Sequence, residues 1–291
     1  MGGNQTPKRS SSNNDRPAIW VGYGRLVKLF RERAGMTQMA LADAIGYSVE
    51  LVGAVEQGRR PAKTTFTKAV EPILNTGGVL QALQDQVDLA KLPRFFQDFA
   101  AIEAEAVSRF SYDPLLIPGL LQTEEYARAL FAGHCPPLGA ETIEQHVEAR
   151  LHRQGMLHHD PPVALSFIIA EGALTNPVGG GDIMHRQMLA LTEAASLHNV
   201  EIQVMPTTPG VHPGLNGPMV LLETTEHRHI GYVESQEIGT VVSDPAKVSA
   251  FGLRYGKLRS QALNVEESAR LINRMAGDTW NSGMPVAATA P

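Results

Sequence analysis

Apolar positions between Gly22 and about Leu83 recur at three- and four-residue spacing in short blocks separated by glycine, which predicts short helices rather than strands. The blocks GRLVKLFRERAG, TQMALADAIG, SVELVGAVEQG, FTKAVEPIL and VLQAL point to a compact five-helix unit. From Pro93 to Asp113 the residues Phe95, Phe96, Phe99, Ile102 and Ala106 keep helical spacing, so one core-facing helix is expected there. Pro114, Pro118 and Gly119 break the pattern, and Thr123 is placed to cap a helix from Glu124 to about Phe131, with Glu124 and Glu125 at its positive end. Another helix is expected over 140–157, ended by Asp160, Pro161 and Pro162.

Beyond that point the period changes. VALSFIIA at 163–170 and VEIQVM at 200–205 read as strands around a helix near 182–197, with further strands at 219–223 and 229–234. The segment 206–218, PTTPGVHPGLNGP, is a loop of restricted shape; either it shapes a pocket or its prolines simply end strands. Helices near 244–263 and 265–275 close the chain. The expected fold class is therefore a multidomain α+β chain: a disordered arm over 1–19, a five-helix helix-turn-helix domain at 20–83, an α+β regulatory domain at 93–276, and a flexible tail at 277–291.

Charge sharpens this division. The net charge of −5 hides an asymmetry: residues 1–80 carry 11 Lys/Arg against 6 Asp/Glu, and residues 81–291 carry 14 against 24. A basic first domain suits a polyanionic partner, while an acidic second domain stays away from it. The single cysteine, Cys135, excludes an intrachain disulfide, no run of about 18 apolar residues is present, and the N-terminus is polar, so a cytoplasmic protein with no membrane contact is expected.

The segment 37–61 carries the chemistry. A helix-turn-helix needs two short helices at a fixed angle, apolar contacts between them and a tight turn. Thr37 can cap the first, Ala40, Leu41, Ala44 and Ile45 supply its buried side, Gly46 allows the turn, and Ser48 can cap the second. Val52 and Val55 point that second helix inward, which leaves Val49, Glu50, Gly53 and Ala54 for a groove. Glu50 can accept from cytosine N4 and Val49 can touch a thymine methyl, yet neither gives the bidentate grip of arginine on guanine. Specificity is then shared with Gln38, DNA shape or dimer spacing. Arg59, Arg60 and Lys63, just past the reading helix, suit phosphate neutralisation.

Thr37-Gln38, Leu41-Ala42, Gly46, Ser48, Val52, Glu56 and Gly58 together resemble the XRE, or Cro/C1-type, phage-repressor fold over about 60 residues. The resemblance implies that Gln38, Ser48, Val49, Glu50 and Gly53 lie nearest double-stranded DNA, with Arg59, Arg60 and Lys63 approaching phosphates. A homodimer is expected, because one such unit covers little DNA. The second domain, through the modified FxxxxxxEAEA at 96–106, LLIPGLLQTEEYARAL at 115–130, Arg153-Gln154 and HPGLNGPMVLLE at 212–223, resembles that of WhiJ-like actinomycete regulators, sometimes described as antitoxin-like. That resemblance implies a transcription regulator whose second domain binds a small cognate protein.

Other chemistries are weak. Of ten histidines, His158-His159 and His227/His229 are paired, the latter alternating onto one face of a strand, but none shows zinc-site spacing, so no metal or cofactor is expected. Glu103, Glu105 and Glu171 are candidates for a carboxylate pair, though acids on helices are usually solvated. GGGD at 179–182 opens a helix as an anion site or as a plain turn. No nucleophile elbow, phosphate loop or dinucleotide fingerprint appears, so an enzyme is not expected. The reading is a sequence-specific regulator that senses a partner or ligand; the alternatives are an antitoxin-like protein that autoregulates and a small-molecule-responsive repressor.

Overall fold

The computed structural model describes residues 16–207 and 210–279; the rest of the expected arm and tail, with Thr208 and Pro209, lies outside the described residues. The chain divides into two compact units between Lys91 and Leu92. The first is all-helical: α1 (Ala18–Arg33), α2 (Gln38–Ile45), α3 (Val49–Glu56), α4 (Thr64–Leu74), α5 (Val79–Ala82) and α6 (Gln84–Leu89). Val27, Leu41, Val52, Phe66, Val70, Leu80 and Val87 form its core. The unit thus runs past Leu83, since α6 brings Val87 into the core and its carbonyl accepts from Trp20 Nε1 at 3.1 Å. Two glycines set how closely α1 approaches. A Cβ on Gly24 would lie 2.2 Å from the Val55 carbonyl oxygen, and one on Gly58, whose φ is +62°, would lie 2.7 Å from Val21 Cα.

The second unit is α+β: α7 (Arg94–Glu103), β1 (Ala106–Asp113), α8 (Glu124–Ala132), α9 (Ala140–Arg153), β2 (Ala164–Ala170), α10 (Glu171–Thr175), α11 (Gly181–Ala194), β3 (Val200–Met205), β4 (Met219–Thr224), β5 (His229–Ser235), β6 (Ile238–Val242), α12 (Pro245–Gln261) and α13 (Val265–Arg274). The sheet order is β3-β2-β1-β4-β5-β6. β1, β2 and β3 run parallel through helical crossovers, and β4, β5 and β6 continue as an antiparallel meander on the other side of β1.

β1 corrects the expectation of one helix from Pro93 to Asp113: the helix ends at Glu103 and the central strand follows. Its register explains why alternation did not announce it. Across one face of the sheet, Val200, Leu165, Arg109, Leu222 and Ile230 pair in a row, so the central member of an otherwise apolar line is an arginine. Ser111 and Asp113 follow Arg109 on the same face. This side is covered by α11 and α13 over β2 and β3, and by α7, whose Phe99 stacks on Tyr232 at 4.0 Å. The opposite face is covered by α12, where Tyr255 and Leu258 join Tyr112, Ile168, Met205 and Met219.

A β-strand of polar centre needs partners for every buried group. Arg109 Nε donates to Glu103 Oε1 at 2.9 Å and its NH1 to Ser111 Oγ at 3.0 Å, and Ser111 Oγ donates to Asp113 Oδ2 at 2.7 Å. From the loop after β3, Gly214 lies against the other side of β1. A Cβ on Gly214 would strike the Tyr112 ring at 2.5 Å, and Thr207 N donates to Glu171 Oε2 at 3.0 Å. His227 and His229 do not share a strand face as expected, because His227 sits in the preceding turn with φ 58°.

Two outcomes follow from this packing. Gly24→Ala has no room for its methyl group against α3 and should cost about 1–3 kcal/mol despite the better helix propensity of alanine; urea unfolding measures this, and an unchanged midpoint would contradict the close approach. Burial pushes the Asp113 carboxyl up from 3.8 to about 6, against the opposing pull of Arg109. A raised carboxyl favours the fold most below pH 4 and loses that contribution as pH rises through 6. Asp113→Asn should therefore match wild type at pH 4 and melt higher above pH 6, as thermal melts across pH would record.

Candidate nucleic-acid interface

The helix-turn-helix is built from local rules first. Thr37 Oγ1 accepts from Ala40 N at 3.1 Å and Ser48 Oγ from Leu51 N at 3.2 Å, so each helix is capped by the residue preceding it. Between them Gly46 takes φ +71°, which a β-carbon would make costly. Tyr47, next in the turn, packs edge-on against Phe66 with ring centroids 5.4 Å apart and donates to Thr65 Oγ1 at 3.1 Å, fastening the turn to α4.

The mutual angle of α1, α2 and α3 depends on one buried carboxylate. Glu56, whose side chain is only 2% exposed, accepts from Arg31 Nε at 2.5 Å through Oε1. Oε2 accepts from Arg31 NH2 at 3.1 Å and from Gln38 Nε2 at 2.7 Å. Arg31 NH1 also donates to the Met36 carbonyl at 2.7 Å, which ties down the chain between α1 and α2. A single carboxylate at the end of α3 thus holds one residue from each of the two preceding helices.

The eight residues expected at the interface fall into three groups. Ser48 and Glu50 at the start of α3, and Arg59, Arg60 and Lys63 beyond its end, are exposed. Gln38 and Val49 are half-buried, Gln38 being held by Glu56 and Val49 packing on the core. Gly53 is buried, and so is Ala54; neither presents a side chain to a groove as α3's free positions were expected to do. A Cβ on Gly53 would sit 3.5 Å from Gln38 Oε1, an ordinary van der Waals contact, so the Gln38 amide packs over this position. Arg59 Nε donates to Gln57 Oε1 at 2.9 Å, and the Arg59 and Arg60 amides both donate to the Ala54 carbonyl, curling the basic segment back toward α3.

The acids considered for a carboxylate pair are not brought together: Glu103 is bound by arginines, Glu105 is exposed, and Glu171 holds Thr207. His227 bonds Glu223 at 2.7 Å with His229 at 4.0 Å, and no group of three or more such side chains among the described residues is placed to hold a metal ion. At 179–182, a Cβ on Gly179 would lie 2.9 Å from Ala129 Cβ, so that glycine serves the approach of α11 to α8. Cys135 is exposed. Sequence reasoning missed the Arg31–Glu56 pair; a charged residue at an inward position of α1, Arg31 four residues after Val27, was the available signal.

Removing the charge of Glu56 would leave the buried Arg31 with only the half-exposed Glu32 carboxylate, 3.8 Å from NH2, as counter-charge. Glu56→Gln should lose about 3–5 kcal/mol of stability, more than exposed substitutions such as Glu50→Gln on the same helix. Chemical denaturation of both variants checks this, and equal small losses would show that the buried pair does not hold the helices.

Comparison with known proteins accords with this geometry. A family model described as a helix-turn-helix domain matches residues 23–86. The uncharacterized HTH-type transcriptional regulator YazB of Bacillus subtilis (strain 168) is 34% identical over 53 residues, 18% of this chain and 77% of YazB. No solved structure gives a significant match. No helix among the described residues is long and apolar enough to cross a membrane. A second family model, described as a domain of unknown function (DUF5753), matches residues 96–274, more than half of the chain. With its helix-turn-helix unit in front of that domain, the chain belongs to the DUF5753 family.

Proposed function

We propose that this protein is a sequence-specific, double-stranded-DNA-binding transcription regulator of the XRE type, with a second domain that senses a partner protein or a ligand and carries out no catalysis. The observation that carries the reading is the exposed start of α3, Ser48 and Glu50, followed within one loop by the exposed cations Arg59, Arg60 and Lys63. Its charge balance and the description of YazB as an HTH-type transcriptional regulator support it.

In this reading the N-terminal end of α3 enters the major groove, where Glu50 accepts from cytosine N4 and Val49 meets a thymine methyl, while Gln38 reaches the groove from the start of α2. Gly53 lies beneath the Gln38 amide rather than in the groove itself. Ser48 and the basic loop approach the phosphates. So small a reading surface needs a second copy, so a homodimer on paired half-sites is proposed. The sequence landmarks at 115–130 and 212–223 favour a place among WhiJ-like, antitoxin-like regulators, which adds a small cognate protein as the partner of the second domain.

Fluorescence anisotropy of the full chain on its own upstream DNA, against a scrambled fragment at near-physiological salt, tests the reading; equal affinities would oppose it. Arg59→Ala combined with Arg60→Ala should weaken binding to both fragments and flatten the dependence of log affinity on log salt by about one to two units. An unchanged slope would remove both arginines from the phosphate contacts.

A further inference from the structure

The polar group beneath α7 is incomplete in one place. Glu103 is shared by two arginines, Oε1 accepting from Arg109 at 2.9 Å and Oε2 from Arg153 at 2.5 and 3.0 Å. Asp113 accepts from Ser111, and Glu234 Oε2 accepts from Tyr232 Oη at 3.0 Å. Arg150 stands on α9 one turn before Arg153 and feels both Arg153 and Glu234, yet no carboxylate among the described residues lies within 4 Å of it. Its recorded contacts are NH1 donating to Gln122 Oε1 at 2.5 Å and the guanidinium over the Phe131 ring at 5.0 Å. A guanidinium offers five N–H donors, and a charge withdrawn from water without a counter-ion is costly.

The side chain is held in place. A Cβ on Gly119 would lie 3.1 Å from Arg150 Cδ and Nη1, so glycine there leaves the room that the side chain occupies. Gln122 is itself fixed, donating to the Ile117 carbonyl at 2.7 Å, and Gln154 Nε2 donates to the Gln122 carbonyl at 2.6 Å. Solvent reaches the group: Glu234 is exposed, and Arg150, Phe131 and Asp113 are partly so. Burial and the neighbouring Arg153 lower the Arg150 pKa to about 10, in line with a cation that lacks its counter-charge.

We propose that Arg150 seats a small oxyanion-bearing ligand, whose carboxylate or phosphate takes the guanidinium's remaining donors beside Gln122 and the Phe131 ring. Arginine pairs with both groups through two parallel hydrogen bonds, which a lysine would not reproduce. The ligand would bridge α9 and the 117–122 loop. This rests on the sensing role proposed above and gives it a chemistry, but its test reads ligand binding alone, so its failure leaves selective DNA binding to be judged by its own assay.

The experiment is a thermal-shift and calorimetric titration of the full chain with inorganic phosphate and, separately, citrate, at ionic strength balanced with chloride. At least one probe should raise the melting temperature saturably, equally so in the Arg59→Ala/Arg60→Ala variant, and Arg150→Met should weaken binding about tenfold or more, with Arg150→Lys in between. Where Arg150→Met does not fold, backbone amide shifts of Gly119 and Gln122 in the labelled wild type decide, since both should move saturably with the probe. No saturable response, a response that survives Arg150→Met, amides of Gly119 and Gln122 that stay still, or a response lost with Arg59 and Arg60 would each overturn the proposal.

Discussion

The carboxylate of Glu56 is the constraint on which the reading head depends. Withdrawn from water, it is tolerable only because Arg31 neutralises it and Gln38 takes part of its hydrogen-bonding capacity. That requirement reaches back into α1 and α2 and fixes both against the end of α3. The glycines follow from the same closeness, since α1 lies against the Val55 carbonyl through Gly24 and against the basic loop through Gly58. In this three-helix frame the start of α3 and the loop after it face water, and there exposed polar and cationic residues stand.

The second unit solves a comparable problem with a different outcome. Its central strand places Arg109, Ser111 and Asp113 along an otherwise apolar face, and Glu103 compensates by serving two arginines at once. One acid for two cations satisfies Arg109 and Arg153 and leaves Arg150 to an amide and a ring. Where the first unit closes its charge network, the second leaves a cation with donors to spare beside solvent.

The sequence made the local architecture legible wherever a short-range rule decided it. Caps at Thr37, Ser48 and Thr123, the turn at Gly46, and strands with apolar alternation such as 200–205 all act within a few residues. β1 was hidden because its buried face is polar, so neither alternation nor an apolar run marked it, while Ala106 happened to extend the helical spacing of α7. β6 is short and half-exposed, and its apolar residues Ile238, Val241 and Val242 do not alternate. At the interface, the exposed residues at the start of α3 and the basic loop were readable from charge and spacing. Gly53 and Ala54 were not, because their burial depends on Gln38 and on neighbouring helices that sequence spacing does not reveal.

Affinity cleavage reads out whether the exposed start of α3 meets the bases. In a Cys135→Ser background, which removes the one cysteine, Glu50→Cys carries an iron chelate that cuts nearby DNA, and the full chain is bound to its own upstream region. Cuts are expected to be confined to a few base pairs inside each protected half-site, with the unattached chelate giving no such pattern. Cleavage from residue 50 that is scattered, or no different from that of the unattached chelate, would contradict this placement of α3.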